Sequence, residues 1–221
     1  SSDLFRKGYY NEQIINTTGK SGLFNYYFSY SNRSEEGIVI QNDFSRESFK
    51  GNIEIVPSKE VQMKFSGNYI TGDNFRPQND NNIFGWLYNT LVFNTPYQVV
   101  DSIALVNLKN EINTRRFIGS ASIDYAPDWL QGLRAHGHVG FDGSNVKNTE
   151  FLSPDYNYSI LGNRGQKTIF QRNRDNINID WNVSYTRNIF DNLKSTSIVG
   201  AQLYSYAIDD FWITKEGFGT G

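Results

Sequence analysis

The stretch Phe24-Asn25-Tyr26-Tyr27-Phe28-Ser29-Tyr30-Ser31-Asn32-Arg33 separates into two interleaved sets. Phe24, Tyr26, Phe28 and Tyr30 fall on one side, and Asn25, Tyr27, Ser29 and Ser31 on the other. Successive side chains of a β-strand point to opposite faces, so the segment predicts a strand with one aromatic and one mostly polar face. The architecture turns on what the aromatic face meets: the interior of a soluble sandwich, or hydrocarbon.

The alternation recurs along the chain. Arg46, Ser48, Lys50, Asn52 and Glu54 oppose Phe49, Gly51, Ile53 and Ile55; Val61, Met63, Phe65, Gly67 and Tyr69 oppose Gln62, Lys64, Ser66 and Asn68. Phe117, Gly119, Ala121, Ile123 and Tyr125 oppose Ser120, Ser122 and Asp124; Leu133, Ala135, Gly137, Val139 and Phe141 oppose Arg134, His136, His138 and Asp142. Ile177, Ile179, Trp181, Val183 and Tyr185 oppose Asn178, Asp180, Asn182 and Ser184. With weaker segments at Tyr10–Thr18 and Leu193–Leu203, this predicts about eight strands and no helix in the regular part.

The links between these strands differ in length by end. Short ones at Thr18–Gly22, Pro57–Glu60, Ala126–Gln131 and Arg187–Asn192 carry turn residues; long ones are expected at Asn32–Asp43, Thr71–Asn113 and Gly143–Gln171. An up-and-down meander then has its tight turns at one end and its large loops at the other, the asymmetry of outer-membrane barrels.

Composition agrees without deciding. The 221 residues include 30 Phe and Tyr, 19 Gly and 26 Asn, which favour strands and turns. With 21 basic and 23 acidic residues there is no electrostatic footprint for nucleic acid. No cysteine is present, which removes disulfide scaffolds and thiolate chemistry. No apolar run reaches the length of a membrane-spanning helix, a test that leaves barrels untouched.

Energetics assign the faces. A basic side chain at mid-bilayer on a barrel costs roughly 2 to 4 kcal/mol, so Arg46, Lys50, Lys64, Asn68, His136 and His138 are expected to face the lumen. Phe24, Tyr26, Phe28, Tyr30, Phe65 and Tyr69 are expected to face lipid. The alternatives are a soluble carbohydrate-binding β-sandwich, whose core would be the aromatic face, and a free-standing eight-stranded barrel with a structural or adhesive role.

The run from Asp3 to Arg46, DLFRKGYYNEQIINTTGKSGLFNYYFSYSNRSEEGIVIQNDFSR, resembles the early barrel of SusC/RagA-like TonB-dependent outer-membrane transporters. FNTPYQVVD, RRFIGSASIDYAPDWLQGLRAHGHVGFD and STSIVGAQLY continue the resemblance over nearly the whole chain. It implies that residues 1–221 belong to one antiparallel up-and-down transmembrane barrel domain, with about eight strands of a barrel of the 22-stranded type. It implies import of oligosaccharide or peptide across the outer membrane of a Gram-negative bacterium, with a SusD-like surface lipoprotein as partner and TonB engaging an N-terminal region. The family's signal peptide, carboxypeptidase-like extension, TonB box and plug are not in this sequence, so it is expected to be a piece of a longer chain.

For chemistry, neither G-x-S-x-G, a P-loop nor H-E-x-x-H occurs, and no enzyme is expected. His136, His138 and Asp142 form an incomplete zinc set, read as polar lumen residues. Asp73 and Asp80, with Asn79, Asn81 and Asn82, offer oxygens for loop calcium, though without EF-hand spacing. Trp86, Tyr88, Tyr97, Tyr156, Tyr158 and Trp212 are expected loop aromatics. Rings beside amides suit sugar or peptide, because rings stack while amides hydrogen-bond.

Overall fold

The computed structural model describes residues 5–77, 109–152 and 165–217. They form β1 (Tyr9–Ser21), β2 (Phe24–Glu36), β3 (Asp43–Ser58), β4 (Val61–Phe75), β5 (Lys109–Tyr125), β6 (Leu133–Leu152), β7 (Gln166–Phe190) and β8 (Leu193–Glu216). Each strand pairs antiparallel with its sequence neighbours in one sheet, ordered β1 through β8. This is the expected all-β meander. No ladder joins β1 to β8 among the described residues, so the sheet is open, as part of a larger barrel is. The free-standing eight-stranded barrel is thereby set aside. So is the sandwich, because among the described residues no second sheet stacks on the aromatic face.

The strands run longer than their apolar alternation. The expected long link at Asn32–Asp43 is corrected to six residues, 37–42, closed by Gly37 N–H to Asn42 O at 2.6 Å and Asn42 N–H to Val39 O at 3.2 Å. The expected link Gly143–Gln171 is largely strand: β6 continues to Leu152 and β7 starts at Gln166. These polar extensions pair through side chains as well as backbone, as in Asn145 Nδ2 to Asn173 Oδ1 at 2.5 Å.

The four short turns step along the sheet. One row of register partners runs Ser21, Phe24, Ile55, Met63, Ile123, Gly137, Trp181, Ala201. At β1 and β2 this row is the end of the strands, whereas β7 continues from Trp181 to Phe190 before it turns. Those nine further residues, at about 3.3 Å each, accumulate over six strand spacings of about 4.8 Å, which tilts the strands by about 45° if the turns share a plane. Barrel strands tilt by this amount.

Two turns are tied together. Lys59, between β3 and β4, pairs with Asp128, between β5 and β6, and Asp128 N–H donates to Glu60 Oε1 at 2.8 Å. The Asp128 carboxylate holds the Lys59 ammonium above the ordinary lysine range by hydrogen bond and charge. The second turn ends on Gly132, whose φ of 92° suits glycine. A Cβ there would lie 2.0 Å from the Thr186 carbonyl oxygen, so the β5–β6 turn also packs directly on β7.

Candidate functional site

Register assigns every strand residue to one of two faces. Phe24, Tyr26, Phe28 and Tyr30 on β2 align with Ile55, Ile53, Gly51 and Phe49 on β3. Through β4 this face continues as Met63, Phe65, Gly67 and Tyr69, then as Ile123, Ala121, Gly119 and Phe117 on β5. It carries no charge from Tyr69 down to Val61 or from Phe117 down to Tyr125, but Glu47, Asp73 and Arg115 follow directly beyond it. The six residues expected to meet lipid therefore share one face, bounded by charge toward the long-loop end.

The other six also share a face. Arg46 aligns with Arg33, Lys50 with Ser29 and Asn68, Lys64 with Glu54 and Ser122, His136 with Asp124, and His138 with Asp180. Burial does not divide the two sets, since Tyr26 and Phe28 are half-buried while Lys50 and Lys64 are exposed, but along β7 it alternates in an unusual direction. Along β7, Ile177, Ile179, Trp181, Val183 and Tyr185 are exposed, while Asn176, Asn178, Asp180, Asn182 and Ser184 between them are half-buried. A sheet bent toward a barrel crowds side chains on its concave face and fans them out on the convex one. The polar face is thus the concave one, and the apolar face has no protein over it among the described residues.

Several polar groups of the concave face pair across strands, while the Asn68 side-chain oxygen is buried without a hydrogen-bond partner. Glu54 accepts from Asn25 Nδ2 at 2.7 Å and also from Gln62. His136 Nδ1 lies 2.8 Å from Asp124 Oδ1, and His138 Nδ1 lies 3.0 Å from Asp180 Oδ2. Across-strand hydroxyl pairs join Ser31 to Ser48 and Ser66 to Ser120, each at 2.7 Å. A groove of about 780 Å³ runs over Lys20, Tyr27, Glu54, Lys64 and Ser120, and a second of about 660 Å³ over Gln62, Asp124, His136 and Asn182. Grooves of this size, with amides, hydroxyls and both charge signs in their lining, can hydrogen-bond a polar solute.

The metal expectations meet competing partners. Asp142 does not join the histidines: both its oxygens accept from Arg116, at 2.7 and 2.6 Å. Asp73 accepts from Asn113 Nδ2 at 2.7 Å. Among the described residues no three His, Cys, Asp or Glu gather as a metal ion needs. Asn79, Asp80, Asn81, Asn82, Trp86, Tyr88, Tyr97, Tyr156 and Tyr158 lie outside the described residues.

Trp212 is a correction. Expected in a loop, it sits on β8 in register with Phe170, on the polar face and 73% exposed. The run Asp209-Asp210-Phe211-Trp212 lacks apolar alternation, but ladder pairing with β7 extends the strand through it. The charged cluster on β5 to β8 was also missed, because Arg116, Asp142, Arg172 and Asp210 are far apart in sequence and only register joins them.

No family model and no curated protein matches this sequence. Solved structures do match its fold. "Structure of the RagAB peptide importer in the 'open-open' state" superposes with a TM-score of 0.77 at 15% identity, covering 98% of this chain and 26% of that one. "Structure of the RagAB peptide importer in the 'closed-closed' state" gives 0.74 at 14% identity, covering 97% and 26%. The chain shares the fold of a portion of those importer chains, in agreement with the SusC/RagA-like resemblance of the sequence. The chain spans about a quarter of the length of the chains it matches.

Proposed function

We propose that this chain forms part of the barrel wall of a SusC/RagA-like, TonB-dependent transporter in the outer membrane of a Gram-negative bacterium, and is not an enzyme. The transporter imports oligosaccharide or peptide. A SusD-like surface lipoprotein is its partner, and TonB acts through a region outside this sequence. One observation carries the reading: an uncharged aromatic face with no second sheet over it among the described residues, backed by a polar face whose groups pair in part across strands. In water such a face would be an aggregation surface, whereas in a bilayer it is the required one. The RagAB structures, named as a peptide importer, support the transport class by analogy of fold, and the lipoprotein partner follows from the SusC/RagA-like resemblance of the sequence.

Quenching by brominated lipid tests it. In the full-length protein in vesicles, with Trp181 or Trp212 as the sole tryptophan, chain-brominated phospholipid should quench Trp181 on the apolar face and spare Trp212. Equal quenching of both, or release of the native protein by salt without detergent, contradicts the reading.

A further inference from the structure

Where the apolar run of the outer face ends, the polar face carries three arginines and two aspartates. Arg116 on β5 donates through Nε and Nη2 to the two oxygens of Asp142 on β6, at 2.7 and 2.6 Å. Arg172 on β7 does the same to Asp210 on β8, at 2.8 Å for each bond. Both carboxylates are therefore occupied by two-point forks. Arg174 lies between these pairs, in register with Ser144 and Ile208, neither of which offers a carboxylate. It is exposed, and among the described residues it has no hydrogen-bond or ion-pair partner. The five side chains sum to one positive charge, and it resides on the arginine whose fork is unshared.

Its neighbours add donors. Asn176, two residues along the same face, accepts at Oδ1 from Tyr204 Oη at 3.3 Å, which leaves its amide N–H groups as open donors. Tyr206, in register with Asn176, presents a ring that is 49% exposed.

We infer that Arg174 and Asn176 form an anchoring site for a free carboxylate on the transported ligand, with the Tyr206 ring flanking it. A planar guanidinium matches a carboxylate in two hydrogen bonds, a fit that a neutral sugar hydroxyl does not use. The adjacent Arg–Asp forks pin β5 to β6 and β7 to β8 around the open position. The inference deepens the import reading and rests on it. The carboxylate is either a peptide C-terminus or a uronic acid.

The test uses the full-length transporter in outer-membrane vesicles, with arginines modified by phenylglyoxal and read by peptide mass spectrometry. Three probes are compared: a library of five-residue peptides with free C-termini, the same library C-terminally amidated, and trigalacturonate. Arg174 should react faster than Arg116 and Arg172. The free-acid library should slow that reaction and the amidated one should not; protection by trigalacturonate alone assigns the carboxylate to a sugar. Arg174→Gln should weaken binding of the protecting probe about tenfold and leave amidated peptides unaffected. Equal protection by free and amidated peptides, or none by either acid probe, overturns the site. Uptake of the same probes separates two failures. Uptake without protection of Arg174 removes the anchor alone, and no uptake of any probe removes the import reading with it.

Discussion

Placing a charge at Phe65 gives a quantitative test of what surrounds the sheet. Phe65 is 43% exposed and lies in register between Ile53 and Ala121. It sits four residues from Val61 and four from Tyr69, the limits of the uncharged run on β4. At about 3.3 Å per residue and a tilt near 45°, that places it about 9 Å from either edge of the apolar band. A basic side chain there costs roughly 2 to 4 kcal/mol if the surroundings are lipid, a change of about 30- to 1,000-fold in the folded-to-unfolded ratio. In water the same exposed position would tolerate Phe65→Arg within about 0.5 kcal/mol. Ser66→Arg, one residue along on the other face, serves as control; it gives up only the exposed hydroxyl pair with Ser120 and should stay within about 1 kcal/mol. Urea titration of the full-length barrel in lipid vesicles, read by the mobility of unheated samples on a gel, measures both. A Phe65→Arg variant as stable as wild type, or a Ser66→Arg variant equally damaged, refutes the assignment of faces.

Three further outcomes are expected. Gly132→Ala, which drives a Cβ into the Thr186 carbonyl, should cost more than about 2 kcal/mol in the same titration, while Gly22→Ala, with nothing within 4 Å of its Cβ, should cost only about 1 kcal/mol for its positive φ. A double-mutant cycle on Arg116→Ala and Asp142→Ala should return a coupling of about 0.5 to 1 kcal/mol that shrinks in 1 M salt, as for a partly exposed bidentate pair. The Lys59–Asp128 tie stabilises the turns while Lys59 is charged. Because its folded pKa is raised, that contribution is complete below the ordinary lysine value of about 10.4 and fades as pH climbs through the higher folded value. Trp129 fluorescence, compared between wild type and Lys59→Met, should show the difference closing at alkaline pH.

The legible part of the fold was the part in which apolar and polar residues alternate. Phe24 to Tyr30 and Ile177 to Tyr185 announce strands because one of their faces carries apolar residues and no charge while the other is polar. Beyond these runs the alternation stops. Lys147, Asn148, Asn173 and Arg174 carry no period of two in polarity, and what keeps them extended is pairing with a neighbour, visible only in register. For the same reason Trp212 read as a loop residue, and the six-residue link at 37–42 read as twice its length. The faces of His136 and His138 could be read from the strand, but their partners could not. Asp124 and Asp180 come from two different strands, and which carboxylate meets which imidazole depends on how far the hairpins slide past each other.

That sliding also sets the width of the wall. A strand tilted by about 42° takes up about 6.5 Å of perimeter, so eight of them span roughly 50 Å of arc. Rolled shut on themselves they would leave a bore about 16 Å across, which side chains fill. Continued at the same pitch to 22 strands, the perimeter reaches about 145 Å and the diameter about 45 Å, with neighbouring strands turning by only about 16°. At so gentle a bend, opposite sides of such a ring are too distant for their side chains to meet, so the wall by itself would leave its bore open.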